Sequence, residues 1–252
     1  FSSSLNKYFF YLILFFLGSV LMRSAGCIVN DILDKELDAK VFRTKKRPIA
    51  SGKISITLAI FYSLTLCFLA LLVLLNFNKF TIILAIGSMP LAFTYPLMKR
   101  FTYWPQLFLG ITFNYGLILG WTAIKGQIDI IPVIFYIGAI FWTLGYDTIY
   151  GYQDIKDDEI IGIKSTSIKF KKSPYIFLYL CYSIFFLSLL IMSHLINLNK
   201  ISLMFLLLVA IQLFYFQLKK LNVKKSSSCL ETFKSNNLLG FTVFFVLLVG
   251  KI

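Results

Sequence analysis

Residues Tyr8 to Asp38 read YFFYLILFFLGSVLMRSAGCIVNDILDKELD. The stretch Tyr8–Val29 is almost wholly apolar and long enough to cross a bilayer, since about 20 such residues do so as a helix. It then runs straight into Asp31, Asp34, Glu36 and Asp38. It is too long for a signal-peptide core and meets no cleavage site before the charges. Seven further apolar runs follow: Ile54–Leu75, Phe80–Leu97, Trp104–Ala123, Ile128–Ile149, Pro174–Ser193, Ile201–Leu218 and a short one, Leu238–Gly250. None alternates apolar with polar, which speaks against a β-barrel. The expected fold is all-α: a polytopic transmembrane bundle with eight visible helices, forming one domain over residues 1–252.

Composition agrees. The 252 residues are 58% hydrophobic and 14% charged, with a mean hydropathy of +0.81. A soluble domain carries about 25% charged residues. The 25 basic residues against 11 acidic ones give +14, which in a soluble chain would suggest nucleic acid. Here the distribution gives another reason. Nineteen of the basic residues lie in the loops after the first, third, fifth and seventh helices, and three in the alternate loops. The positive-inside rule then puts the odd loops in the cytoplasm or its organellar equivalent. The bilayer is therefore the expected partner; nothing calls for nucleic acid or an obligate protein partner. Four scattered cysteines, no CxxC and the single His194 exclude a usual zinc site and a histidine-activated nucleophile.

The acids do not follow the topology. Nine of the eleven fall in two clusters on the expected cytoplasmic side. The first holds Asp31, Asp34, Glu36 and Asp38; the second holds Asp147, Asp154, Asp157, Asp158 and Glu159. If the first helix continues past the membrane, Asp31, Asp34 and Asp38 lie within about 60° on one face. By the same rule Asp147, Asp154 and Asp158 lie within about 40°, with Gly151 on that face leaving room for a ligand. Four helices separate the clusters, so halves 1–123 and 124–252 could form a parallel repeat. Stacked carboxylates repel and need a cation. Hard oxygen donors favour Mg²⁺, which usually bridges a few carboxylates to substrate phosphates. The sequence therefore points to a phosphate-bearing substrate held with its metals between the first and fifth helices.

Basic residues nearby fit such a substrate. FRTKKRP supplies Arg43 and Arg47, YPLMKR supplies Lys99 and Arg100, and IGIKS supplies Lys164 with Ser165. Each could donate to a phosphate. GIKST lacks the upstream glycine of a P-loop. Arg23 lies inside the first apolar run, about 12 Å along the helix axis from Asp31. It reads either as a structural partner of an aspartate or as the anchor for an anionic second substrate such as a carboxylate.

These residues resemble the UbiA superfamily of intramembrane aromatic prenyltransferases. NDxxDxxxD is present as Asn30, Asp31, Asp34 and Asp38, followed by RTxxRPxxSG from Arg43 to Gly52. The second motif, Asp154 and Asp158, sits in YDTxYxxxDxxDDxxxGxKST from Tyr146 to Thr166. LMRSAGC (Leu21–Cys27), YPLMKRFTYWPQLFLG (Tyr95–Gly110) and a final-loop NN at Asn236 and Asn237 resemble the branch acting on 4-hydroxybenzoate. The family has nine helices, so the chain reads as beginning at the second.

The resemblance implies an enzyme of ubiquinone biosynthesis. It would move a polyprenyl group from polyprenyl diphosphate to the carbon ortho to the hydroxyl of 4-hydroxybenzoate. Mg²⁺ would be held by Asn30, Asp31, Asp34, Asp38, Asp154 and Asp158. Arg43, Arg47, Lys99, Arg100 and Lys164 would bind the diphosphate, and Arg23 the aromatic carboxylate. Asp147, Asp154 and Asp158 would be catalytic, with Asp147 placed to activate the phenol or take the ring proton. A bacterial inner membrane is the expected setting, with the mitochondrial inner membrane as alternative and the active site on the cytoplasmic side. Two other readings remain: a sister enzyme prenylating haem or a naphthoate, and a transporter. A transporter would hold its acids near the bilayer midplane, whereas these gather at one surface.

Overall fold

The computed structural model describes residues 2–40 and 44–250. The described residues are helical and joined by turns, with no strand among them. In chain order the helices are α1 (Ser2–Leu33), α2 (Lys35–Asp38), α3 (Ile56–Leu74), α4 (Lys79–Thr94), α5 (Met98–Phe101), α6 (Pro105–Phe113), α7 (Gly116–Lys125), α8 (Ile130–Gly151), α9 (Ile155–Ile161), α10 (Thr166–Lys169), α11 (Pro174–Leu195), α12 (Lys200–Ala210) and α13 (Ser226–Val249). A 3₁₀ turn, Tyr95–Leu97, joins α4 to α5, and α12 continues as a π-helix, Ile211–Lys219. Among the described residues, eight helical stretches are long and apolar enough to cross a membrane. Large side chains such as Phe61, Ile83, Ile176, Met204 and Phe244 point outward. A helix solvated by hydrocarbon satisfies its backbone internally and leaves its surface apolar. The chain is an integral membrane protein.

Two spans depart from the pattern of hydropathy. The fourth is broken at Asn114, whose amide Nδ2 donates to the carbonyl of Gly110 (2.9 Å) and to Thr143 Oγ1 on α8 (2.7 Å). The last span is not short: α13 begins at Ser226, twelve residues before the expected start at Leu238. Its polar first half becomes helical because Cys229, Thr232 and Asn236 are buried.

The chain forms two compact units. The first comprises Phe1–Leu97 and Ile118–Ile128. Here α1 packs mainly on α3 and, more lightly, on α4. Asn78 caps α4, accepting from Thr81 N at 2.9 Å, while its Nδ2 donates to the Thr122 carbonyl of α7 at 2.9 Å. Thr81 Oγ1 donates to Thr122 Oγ1 in the buried seam.

The second unit comprises Met98–Leu117 and Asp129–Ile252. Its axis is α8, which packs on α11, α6 and α13. The core is Leu144, Ile149, Leu178, Tyr182, Phe185 and Leu189, each at most 1% exposed. Gly145 permits this approach: a Cβ there would meet the Tyr182 ring at 2.5 Å. A polar chain runs through the same core. Tyr182 Oη donates to Gln217 Oε1 (2.7 Å), and Gln217 Nε2 donates to Asn236 Oδ1 (3.1 Å). Trp142 Nε1 donates to the same Asn236 oxygen at 2.8 Å. Asn236, expected in a loop, is thus a buried α13 residue tying three helices together. Buried polar atoms with partners cost little, and without them each costs about 1–3 kcal/mol.

Candidate active site

In the first unit the acidic motif sits where α1 gives way to α2. The expected single helix through Asp38 is interrupted at Asp34, whose φ, ψ are −98°, 5°. The ladder nevertheless bridges the break: Asp34 N donates to Asn30 O (2.9 Å), and Asp38 N to Asp34 O (2.8 Å). The carboxylates therefore stay near one another. Asp34 and Asp38 are only 3% and 8% exposed.

The segment after α2 folds back onto them. Thr44 Oγ1 donates to the Asp38 carbonyl at 3.0 Å, and Arg47 N donates to Thr44 O at 2.9 Å. The turn closes with Ser51 N on Arg47 O (2.8 Å) and a left-handed Gly52 at φ 78°. This places Arg47 Nη1 2.9 Å from Asp31 Oδ1 and 2.9 Å from Asp38 Oδ2. Arg47, expected to bind diphosphate, here neutralises two aspartates. Arg43 lies outside the described residues. Arg23 is exposed on α1, two turns before Asp31.

The second unit builds its motif in the same way. The helix carrying Asp147 ends at Gly151, and α9 starts after Asp154, whose φ, ψ are −109°, 9°. The expected common face is therefore split: Asp147 belongs to α8, whereas Asp154 and Asp158 flank the start of α9. Asp158 N donates to Asp154 O at 2.9 Å, matching the Asp34–Asp38 step in both backbone and spacing. Each short helix begins at an aspartate with bridge-region dihedrals and carries a second aspartate four residues on.

Gly151 leaves room for a protein side chain rather than for a ligand. A Cβ there would collide with Ser167 Oγ. Ser167 Oγ donates to the Thr148 carbonyl (2.9 Å), Thr148 and Thr166 share a hydroxyl hydrogen bond (2.6 Å), and Thr166 N donates to Gln106 Oε1 (3.0 Å). Ser165 is buried and caps α10, accepting from Ile168 N. Thr166 and Ser167 of IGIKSTS thus form a latch holding the end of α8. The signal for Gln106 and Thr148 was available: polar side chains within apolar spans usually have assigned work.

The latch also places Lys164. Gly162, left-handed at φ 79°, ends α9, and Ile163 N donates to Asp158 O at 2.9 Å. Lys164 N then donates to Lys99 O at 2.9 Å, and its Nζ reaches the Phe101 carbonyl at 3.3 Å. Lys99 and Lys164, 65 residues apart in sequence, are thereby neighbours beside the Asp158 turn. Arg100 is exposed on α5. Lys171 pairs with Glu159.

The donor set suits Mg²⁺. It is carboxylate and amide oxygen, and one cationic nitrogen already lies equally close to Asp31 and Asp38. Among the described residues no three Asp, Glu, His or Cys side chains form a ready metal cage.

Comparison with known proteins gives a consistent picture. The pattern of the UbiA prenyltransferase family matches residues 2–247. The chain is 42% identical over 95% of its length to the mitochondrial 4-hydroxybenzoate polyprenyltransferase of Bos taurus, spanning 64% of that protein. It is 38% identical over 96% of its length to the 4-hydroxybenzoate octaprenyltransferase of Francisella tularensis subsp. mediasiatica, spanning 85% of it. So the chain spans a little under two thirds of the mitochondrial relatives it matches along its whole length. Among solved structures, the apo UbiA homolog from Aeropyrum pernix K1 superposes with a TM-score of 0.81 at 21% identity, covering 95% of this chain and 89% of that one. A UbiA homolog from Archaeoglobus fulgidus, bound to GPP and Mg²⁺, gives 0.65 at 15% identity, covering 95% and 87%. Eight membrane-length apolar helices among the described residues, two matched acidic helix starts and a family match over residues 2–247 lead to one conclusion: this chain belongs to the UbiA prenyltransferase family.

Proposed function

We propose that the chain transfers a polyprenyl group from a polyprenyl diphosphate to the ring carbon ortho to the hydroxyl of 4-hydroxybenzoate, releasing diphosphate, in ubiquinone biosynthesis. The observation that carries prenyl transfer is the pair of matched acidic helix starts, Asp34/Asp38 and Asp154/Asp158. The acceptor and pathway rest on the relatives named above. In the same reading, Asn30, Asp31, Asp34 and Asp38 hold one Mg²⁺, and Asp154 and Asp158 another. When bound, Mg²⁺ neutralises charge growing on the leaving diphosphate.

The chain's own groups do the rest. Arg47 offsets the Asp31 and Asp38 charges before substrates arrive, then turns to donate to the diphosphate. Arg43, Lys99, Arg100 and Lys164 add donors to the diphosphate, where negative charge accumulates. Arg23 holds the benzoate carboxylate, so that the ring carbon ortho to the phenol meets the allylic carbon in an attack geometry. Asp147, on the last turns of α8, takes the phenolic or ring proton. The setting is a bacterial or mitochondrial inner membrane, with the chemistry on the cytoplasmic or matrix side.

The test uses purified protein in bilayers with one prenyl diphosphate, Mg²⁺ and a panel of aromatic acceptors. Mass spectrometry should find 3-polyprenyl-4-hydroxybenzoate and stoichiometric diphosphate. Product with a naphthoate or haem but not with 4-hydroxybenzoate would overturn the acceptor assignment; solute transport without diphosphate release would overturn the reaction.

A further inference from the structure

The second unit carries a basic surface that prenyl transfer does not use. No aspartate or glutamate occurs between Glu159 and Glu231, a stretch holding nine lysines. Four of these, Lys219, Lys220, Lys224 and Lys225, fall within seven residues starting at the last residue of the π-helix, and all are exposed. Positive-inside anchoring accounts for lysines on this side, but not for the way these are held. Leu221 is 5% exposed, and its carbonyl accepts from Tyr175 Oη at 3.0 Å. Lys224 N donates to Asn222 Oδ1 (3.0 Å), Lys225 N to Asn222 O (3.0 Å), and Asn222 N to Ser228 Oγ (3.1 Å). The turn is a fixed platform. The Tyr175 bond also anchors it to the start of α11, which directly follows Lys171 and Lys172.

The platform is continuous with an apolar, outward-facing surface. The Lys219 and Lys220 ammoniums lie 5.3 and 5.2 Å from the Tyr215 ring, and Lys220 lies 4.5 Å from the Phe216 ring. Tyr215 and Phe216 are 45% and 47% exposed, and Leu207, Leu208 and Ile211 continue the exposed face along the helix. Charge at the top and hydrocarbon below fit a molecule with a phosphate head and acyl chains better than an acidic soluble protein.

We propose that Lys219, Lys220, Lys224 and Lys225, on the Tyr175-pinned turn, form a binding site for the headgroups of anionic phospholipids, whose chains lie along Tyr215 and Phe216. The site is independent of the prenyl-transfer reading. Polybasic segments beside a membrane helix attract anionic headgroups, and a Debye length of salt screens them.

The experiment places the full chain in nanodiscs of phosphatidylcholine mixed with phosphatidylglycerol. Selectivity for retained lipid is read by native mass spectrometry, and thermal unfolding in detergent confirms that each variant is folded. Wild type should enrich phosphatidylglycerol, less so at high salt. Selectivity should fall by about fivefold for each lysine neutralised at low salt in K219Q/K220Q/K224Q/K225Q. The arginine counterpart K219R/K220R/K224R/K225R should keep it. The control K79Q/K125Q/K200Q, on the opposite loops, should behave as wild type. Y175F, which alters no charge but frees the turn, should lower selectivity. Unchanged selectivity in the glutamine variant would overturn the site and leave the surface to an acidic protein. An equal loss in the control, or none in Y175F, would reduce it to bulk charge and overturn it as well.

Discussion

Replacing Arg47 with alanine should bind metal more tightly and catalyse more slowly. Its Nη1 is the cation 2.9 Å from both Asp31 and Asp38. Hydrogen bonds to charged groups contribute about 1.5–3 kcal/mol each when well shielded. The Arg47 side chain is 38% exposed, with Asp31 at 25% and Asp38 at 12%, so water screens the pair and about 1 kcal/mol per bond is the fairer figure. Arg47→Ala should therefore destabilise the metal-free protein by about 2 kcal/mol. The same 2 kcal/mol is what a divalent cation must displace to reach these carboxylates. Removing it should tighten Mg²⁺ binding in the absence of substrate by up to about 30-fold. Turnover should nevertheless drop by roughly a hundredfold, because a donor to the leaving diphosphate is lost. Thermal unfolding over a Mg²⁺ titration measures the first effect, and diphosphate release at saturating Mg²⁺ the second. Arg47→Lys should recover part of the stability and less of the rate, since an ammonium lacks the planar fork. If Arg47→Ala showed wild-type Mg²⁺ dependence of both unfolding and turnover, the competition between arginine and metal would be refuted.

Asp154→Asn should abolish turnover while the protein still inserts and unfolds at a wild-type temperature; wild-type turnover would remove Asp154 from the chemistry. Gly151→Ala drives a methyl into Ser167 Oγ and should cost about 1–3 kcal/mol in unfolding. Adding Ser167→Ala should return part of it, and an additive double mutant would contradict the close approach. Asn236→Leu strips acceptors from Trp142 Nε1 and Gln217 Nε2, with an expected loss of about 2–4 kcal/mol. Adding Gln217→Leu removes the Nε2 donor that Asn236→Leu orphans but leaves Tyr182 Oη without its acceptor, so the pair should cost less than the sum of the two single losses, which a double-mutant cycle on thermal stability can read.

Much of the candidate site was legible without coordinates. Asp34 with Asp38, and Asp154 with Asp158, lie four residues apart and so fall within one turn of each other, although the longer faces expected through Asp31 and Asp147 are broken. Arg47 read from the sequence as a diphosphate donor, not as the partner of Asp31 and Asp38. The latch was not legible. Ser165 reads as a phosphate donor beside Lys164, and nothing in the sequence says that Thr166 and Ser167, its neighbours, bond Thr148 and Gln106 far away along the chain. Gly151 looked like space for a ligand for the same reason: what fills the gap comes from another part of the chain.

The sequence by itself determined that the chain is a membrane protein, that eight of its stretches are long and apolar enough to cross a bilayer, and which loops carry the charge. Transfer free energy depends on composition over a window, and charge on loop position, so neither needs a fold. Only the tertiary structure decided that both acidic helices break at an aspartate. It also decided that Arg47 closes on two of these acids, that Lys99 meets Lys164, and that a polar segment opens the last helix. Apart from the local breaks, these outcomes rest largely on hydrogen bonds between residues distant in sequence, 16 positions for Arg47 with Asp31 and 94 for Trp142 with Asn236, and their energy exists only once packing has brought the partners together and excluded the solvent that would otherwise satisfy them.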